Sequence, residues 1–456
     1  MSGLFHVLDI ARSGAVTSQG AVSITGQNIT GASTPGYVRR NAVLGANAGG
    51  GVNLEGVARA FDRTTHRAMV AEQGKKGSAD ARAGSLARLE GVYATGGSSP
   101  IADRVQALFD SLRRLASSPN DMAARAEVLD RAGAVTEAVS SAAKGTEELR
   151  SDVAARATVA ASEANDKLAR IAALNAKIAQ AVATGADASS LRDERDQLAR
   201  DVGERIGARA IEDDKGNLTV FALGTALVDG DQASAIEVSS STGGAPLQIA
   251  VRRPGGNRVD VSSAQVDGTL GGLRQVHDHD LPAVAAGLDR IAFDLANAIN
   301  AVHQSGAGLD GGSGRPLFET PAGLAGAARA FRLDPAIVGR PERLAAAADR
   351  SELPGGNGNA LRLAGLEVAA LPSGRKPAET IGAFLADIGL RRADAEREVG
   401  LRTDTLAHAE ALHEQGAGVS IEEEMVSLTK YQRSFEASIK VLRTVDELLQ
   451  GLMQLK

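Results

Sequence analysis

Few side chains in this 456-residue sequence are spaced as reactive chemistry requires. His277-Asp-His-Asp280 sets two imidazoles beside two carboxylates, the ligand types that zinc and iron take. A dedicated site needs further ligands from elsewhere in the chain. Pro282 marks a helix start just after the cluster, so a solvated helix cap with acidic residues near the positive end of the dipole is the simpler reading. His408 and His413 stand five apart, off the i, i+4 spacing of helical metal pairs, and read as partly packed seam residues. The loop Gly306-Ala-Gly-Leu-Asp-Gly-Gly-Ser-Gly314 has the glycines of a calcium loop but one Asp in place of regularly spaced oxygen ligands, and reads as a flexible turn. Cysteine is absent, which removes thiolate nucleophiles, disulfides and Cys-based metal sites. There is no G-x-S-x-G elbow, phosphate-cradling loop or paired-carboxylate motif. No catalytic, metal or cofactor-binding residue is assigned, and the expectation is a non-enzyme without cofactors. A metal-dependent enzyme around His277 and His279 is the alternative from another class.

What the sequence does carry is long apolar stripes. Ile421, Met425, Leu428, Tyr431, Phe435, Ile439, Leu442, Val445, Leu449, Leu452 and Leu455 follow one another at steps of three or four, a mean of about 3.4 residues, close to the heptad value. Ser420 with Glu423 reads as a capping box, and Glu422 to Glu424 suit the helix N-terminus. Such a stripe needs partner helices, earlier in the chain or in another molecule. At the other end Leu4, Leu8, Ala11, Ala15, Ser18, Val22, Thr25 and Ile29 share one narrow face. Across residues 1–34 the only charged side chains are Asp9 and Arg12, yet Ser, Thr, Gln, Asn and Gly are too frequent for a lipid-facing helix. Burial against protein is expected.

Composition sets the limits. With 43% hydrophobic residues the chain can fill several cores, while 3% aromatics and no Trp favour closely spaced, Ala-rich helices over a large pocket. A net charge of -6 gives no electrostatic case for nucleic acid. No apolar run is long enough to span a membrane, and the first residues lack the basic and cleavage features of a secretory signal.

The stripes between the ends complete the plan. From Tyr37 to Gly97 the pattern is mixed, with glycine pairs marking loops. Pro100 opens a helix carrying Ile101, Val105, Leu108, Leu112 and Leu115, and a long Ala-rich helix is expected from Asp121 to about Ala183. Between about Ala208 and Leu273 the period shortens to two, with turn signals at Asp213–Asn217 and Pro254–Asn257. Helical spacing returns at Val284, Leu288, Ile291 and Leu295, and again from about Pro377 to Gln415, where Gly416 and Gly418 read as a hinge. The fold class is therefore mainly α with an inserted β domain: an elongated helical bundle, paired N- and C-terminal coiled-coil helices and a small antiparallel β insertion. The expected units are an assembly helix at 1–34, a bundle at 35–207 that returns at 276–418, the β insertion at 208–275, and a second assembly helix at 419–456.

Two stretches at opposite ends of the chain resemble one family. Gly26-Gln-Asn-Ile29 followed by Thr34-Pro-Gly-Tyr37-Val-Arg39 resembles the N-terminal signature of flagellar rod, hook and hook-associated proteins. Glu423-Glu-Met425, Lys430-Tyr-Gln432 and Val441 to Leu449 resemble the C-terminal helix of the hook–filament junction family within that group, as Leu191 to Leu198 and Gly268 to Leu273 resemble its middle. Thr30 and Gly31 depart from the usual Ala- and Asn-like positions, and Arg40 stands where Gln is more usual. The resemblance implies a structural subunit, exported from the cytoplasm through the flagellar type III route without a cleaved signal peptide and added as an extracellular ring at the hook–filament junction. It implies as partners other copies of the chain, the hook protein, the next hook-associated protein on the filament side and an export chaperone on the C-terminal helix, with no nucleic acid or membrane. A rod or hook protein is the runner-up within the class. The signature residues are Asn28, Thr34, Pro35, Gly36 and Tyr37. Assembly contacts are expected at Leu4, Leu8, Val22, Ile29, Met425, Leu428, Phe435, Ile439, Leu442, Leu449 and Leu452.

Overall fold

The computed structural model describes residues 2–94, 99–213, 216–241 and 244–454, and the loop reading at Gly96 and Gly97 lies outside them. Helix α1 (Ser2–Gly31) leads into a hairpin of β1 (Arg40–Ala46) and β2 (Val52–Arg59), then α2 (Arg63–Tyr93), α3 (Pro100–Ser117), α4 (Met122–Ala183) and α5 (Ser189–Ile206). Strands β3 (Arg209–Glu212), β4 (Leu218–Ala222), β5 (Thr225–Asp229) and β6 (Gln232–Ala233) form one antiparallel sheet in chain order. A second sheet holds β7 (Ala235–Ser239), β8 (Gln248–Arg252) and β9 (Arg258–Asp260). The chain returns through α6 (Gly268–Gln275), a π-helical turn at Val276–Asp280, α7 (Leu281–Ser305), α8 (Gly358–Gly365), α9 (Pro377–Ala417) and α10 (Ile421–Gln454).

The body is built on α4, 62 residues long. Its inward side places Val128, Val135, Val139, Val153, Leu168 and Ile171 three or four residues apart or at multiples of that spacing, each essentially inaccessible to water. Small residues such as Ala132, Ala157 and Ala164 on the same side let neighbouring helices approach closely. The α3 stripe read from the sequence, Ile101 to Leu115, packs into this core.

The expected antiparallel β insertion is present, and its sheets pack into the core of the helices. Val220, Val228, Ile249 and Val251 belong to the same hydrophobic core as the helices. Two asparagines of α4 take the place of strand neighbours: Asn165 donates to the Ile236 carbonyl (2.8 Å) and accepts from its amide (2.7 Å). Asn175 does the same for Leu218 (2.9 and 3.0 Å). Buried backbone groups at the sheet edge are thereby satisfied without a further strand.

Three expectations are corrected. The stretch after Tyr37, expected as bundle, opens with the β1–β2 hairpin, which lies along α1. Its strands were obscured because a register shift at Val43/Leu44 breaks the alternation. The His277–Asp280 cluster is not a solvated cap, because α6, the π turn and α7 run on without interruption and bury His277 and Asp280. Asp280 is held by Arg82 (2.9 and 3.0 Å) and by Arg391 (3.2 Å), and Asp278 accepts from His277 and from the Leu247 amide. These carboxylates serve structural bonds, and among the described residues no group of three His, Cys, Asp or Glu side chains is placed to hold a metal. The 306–314 loop is ordered by Arg315 on Asp310 (2.7 Å) and by backbone bridges from Ala307 to Ser313 and Ala347.

Helix α9 runs antiparallel along α2. Tyr93 meets Phe384 edge-on at 5.1 Å, Met69 and Val70 meet Leu406 further along, and His66 meets His413 at the far end. This pair carries the chain from the body to the place where both termini depart.

Candidate assembly surface

Both terminal helices leave the body at one elbow, made of residues 32–40, the end of β2 and the break at 418–420. Helix α9 continues through Gly416 and Ala417, so the expected hinge is confined to that break. The Arg39 amide donates to the Ala417 carbonyl (3.0 Å), tying the two chain passages together.

The signature residues build this elbow. Thr34 to Tyr37 form a turn closed by the Tyr37 amide on the Thr34 carbonyl (3.1 Å), with Pro35 at the position that wants a fixed φ and Gly36 at φ +80°. The turn returns Tyr37 to α1, where its hydroxyl donates to Asn28 Oδ1 (2.9 Å). Asn28, 1% exposed, uses its whole bonding capacity: Oδ1 also accepts from the Arg40 amide, and Nδ2 donates to the Arg40 carbonyl (2.8 Å) and to Glu424 Oε2 (3.0 Å). Glu424, 3% exposed, takes Arg39 Nε as well (2.7 Å). The first helix of the chain, its signature turn and the first turn of α10 thus close on one buried carboxylate.

Arg40, the departure from the usual Gln, extends the network into the body. Its guanidinium lies 5.0 Å from the Tyr37 ring centre and reaches Gln27, Ser190 and Asp193. Arg59 bridges Asp193 (2.8 Å) and Asp196 (2.7 Å). Burial pushes the Asp193 carboxyl up, against the pull of Arg59 and Arg40. Burial likewise raises the Tyr37 phenol.

Beneath the elbow Phe61, His66 and His413 form a ring cluster, with centroids 4.9 Å apart for the first pair and 5.3 Å for the second. His408, read with His413 as a seam residue, is exposed. Burial, helped by His413, Arg200 and Arg59, pushes His66 down to about 3 from 6.5, and burial lowers His413 too. A histidine held neutral in the fold binds fewer protons than in the unfolded chain. Its contribution is complete above 6.5 and is lost as pH falls toward about 3. The urea concentration needed for unfolding should therefore fall steadily as pH is lowered across this range, and His66→Phe should flatten the dependence. An unchanged slope in the variant would show that His66 is not the group responsible.

Beyond the elbow α1 and α10 run antiparallel as a stalk. Asn28 meets Glu424, Ser18 Oγ donates to Ser434 (3.1 Å), and Gly14 lies against Ser438, each step back along α1 matched by an equal step forward along α10. On α1 the expected seam is turned inward: Leu4, Leu8, Val22 and Ile29 are half-buried, while Ala11, Ala15, Ser18 and Thr25 between them are buried. On α10, Leu428, Phe435, Ile439, Leu442 and Leu449 are half-buried and Val445 is buried. Met425 is the correction: it is 50% exposed, because Glu424, one residue earlier, occupies the inward position. The Leu452 side chain and Leu455 lie outside the described residues. The Ser420 hydroxyl accepts from the Glu423 amide (3.4 Å), one half of the expected capping box.

Sequence reasoning missed Glu424 as a contact, taking it only as helix-dipole charge. Three consecutive glutamates gave no sign that one is buried; the phase of the stripe, in which residue 424 lies four before Leu428, was the available signal. None of the buried side chains of α1 or α10 joins the main hydrophobic core. Phe5, Val7 and Val16 on α1, and Val426, Val441, Leu448 and Met453 on α10, remain exposed. No helix of the described residues is long and apolar enough to cross a membrane.

Comparison with known proteins agrees with this architecture. Residues 86–318, about half of the chain, match the family model for the flagellar hook-associated protein FlgK helical domain. Residues 413–455 match the model for the flagellar basal body rod FlgEFG protein C-terminal region. The chain is similar to flagellar hook-associated protein 1 of Bacillus subtilis (strain 168), 23% identical over 98% of each chain. It is also similar to the protein of that name from Escherichia coli (strain K12), 27% identical over 68% of this chain and 59% of the other. It shares the fold of the flagellar hook junction protein FlgK from Burkholderia pseudomallei at a TM-score of 0.50 and 24% identity, over 56% of this chain and 46% of that one. With the family model matching half of the chain, from the end of α2 to beyond α7, and a rod-type model spanning α10, the chain belongs to the flagellar hook-associated protein FlgK family, and is a structural component of the bacterial flagellum.

Proposed function

We propose that copies of this chain form a ring between hook and filament, with α1 and α10 as the part that enters the shared tube. The observation that supports this most is the stalk itself: an almost uncharged helix paired with α10, outside the main core, with apolar side chains exposed on both helices. A helix pair stabilised only by a narrow seam gains from neighbours that cover its outer faces, so ordering of the stalk and assembly are coupled. Residues 35–207 and 276–418, with the sheets of 208–275, make the surrounding layer. The hook protein lies on one side of the ring and the next hook-associated protein on the other. Before export a chaperone covers α10, and the chain leaves the cytoplasm by the flagellar route without cleavage of a signal.

Cells from which the gene is deleted should assemble hooks, shed filament protein into the medium, and regain attached filaments when the full chain is supplied. Attached filaments in the deletion strain would overturn the junction reading.

A further inference from the structure

Helix α1 presents three faces. One lies on α10. A second lies under the hairpin, where Thr17 donates to the Val52 carbonyl (2.9 Å), Leu54 rests over Gly20, and Gly51 rests over Ser13. The third, through Phe5, Val16, Gln19 and Ser23, is open.

The hairpin does not close its own inner face. Its register pairs Leu44 with Leu54 and Ala46 with Val52, which places these side chains together on the face toward α1. Leu44 is nevertheless 45% exposed, Val52 41% and Leu54 36%, while Val16, one turn from Gly20, is 62% exposed. A two-stranded hairpin is marginal without a further layer on it. The result is an apolar cleft, open along the border between hairpin and α1.

Helix α10 carries a counterpart. Ala437, Val441 and Leu448 are spaced by near-whole numbers of helical turns and form an apolar ridge about a third of a turn away from the seam, and Arg433, Lys430 and Val426 continue the same line toward the start of α10. The line from Val426 to Leu448 is about 33 Å long and the two hairpin strands about 23 and 26 Å, so it can run the whole length of the cleft. Charge fits as well. Lys430 and Arg433 in this line and Lys440 beside it outnumber Glu422 and Glu447 at its edge, while on the cleft side Asp9 on α1 and Glu55 at the hairpin's register shift outnumber Arg12, and none of these makes an ion pair among the described residues.

We propose that the α1–hairpin cleft of one copy receives the α10 ridge of the next copy, with Asp9 and Glu55 facing the three cations. The contact joins two different surfaces, so a pair is left with a free ridge on one copy and a free cleft on the other. Such an interface propagates into rings or helical arrays rather than stopping at a dimer. The proposal rests on the reading of the stalk as the assembling part.

The absence of cysteine makes the test direct. Leu54→Cys and Val441→Cys are made in separate copies, co-expressed in the deletion strain, and oxidised with copper phenanthroline in isolated flagella. Disulfide-linked dimers should exceed those of either variant alone by roughly ten-fold, because a disulfide demands close and specific approach of the two Cβ atoms. Val52→Cys with Leu448→Cys is an independent pair, and the same gel on concentrated mixtures of purified variants does not depend on filament attachment. Attached filaments with no cross-link from either pair would overturn this contact while leaving the junction reading intact. Dimers forming equally within a single variant would overturn it too, by showing like surfaces meeting.

Discussion

Leu442→Asp is expected to abolish filament attachment while leaving the cooperative unfolding of the body unchanged. Leu442 is half-buried on the seam side of α10, and the register of the stalk places it opposite Ile10 and Ala11. Around it the α1 seam is Leu8, Ile10, Ala11 and Ala15, which offer a buried carboxylate neither a hydrogen bond nor a countercharge. Losing the leucine contacts and desolvating a charge together cost about 2–4 kcal/mol. That is a large share of what holds two helices together outside a core. The body has its own continuous core, to which neither α1 nor α10 contributes. Hydrogen exchange should therefore show lost protection in α1 and α10 alone, and the cells should not swim. Motile cells carrying the variant would mean that the seam is dispensable.

The second large effect lies at the elbow. Glu424→Ala removes the acceptor shared by Asn28 Nδ2 and Arg39 Nε, leaving a buried amide N–H and the partly buried Nε of Arg39 without a partner. Breaking a buried charged contact from one side costs about 2–4 kcal/mol here, since Arg39 retains Glu423 and some access to water. The loss should appear as fast exchange of the amides from Ile421 to Leu428, with the far end of the stalk less affected. Glu424→Gln keeps an acceptor of the same shape and should lose less. Equal behaviour of the two variants would show that the carboxylate charge contributes nothing to docking α10.

The two variants separate two properties that are joined in the fold. Leu442 tests how the stalk holds together, and Glu424 tests how the stalk is aimed. A subunit whose helices pair normally but leave the elbow at the wrong angle would present its surfaces to neighbours out of register.

Much of the molecule was legible in order. Long helices announced themselves through regular apolar steps, as in Ile101 to Leu115, because a helix face must repeat every three or four residues whatever it packs against. The period-two stretch from 208 likewise announced strands. The hairpin was harder to see, since one irregular step at Val43/Leu44 destroys a short alternation. Helix α2 was hidden for a different reason: much of its buried face is Gly74, Gly77, Ala79, Ala81 and Ser85, which pack closely but carry little hydropathy.

What the sequence determined by itself is the set of periodicities, the absence of cysteine chemistry, and the terminal motifs that carry the family resemblance. Each is local or compositional, and survives without knowing what lies across the interface. Tertiary structure decided which face of each helix is covered, that Glu424 rather than Met425 points inward, and that His277 and Asp280 are buried structural groups rather than a cap. It also decided that the β insertion shares the helical core, through Asn165 and Asn175. These outcomes turn on single polar side chains finding partners more than a hundred residues away, or tens of residues away across a sheet edge. Burial of a charge or amide is allowed only where such a partner exists, and a linear sequence does not state that distance.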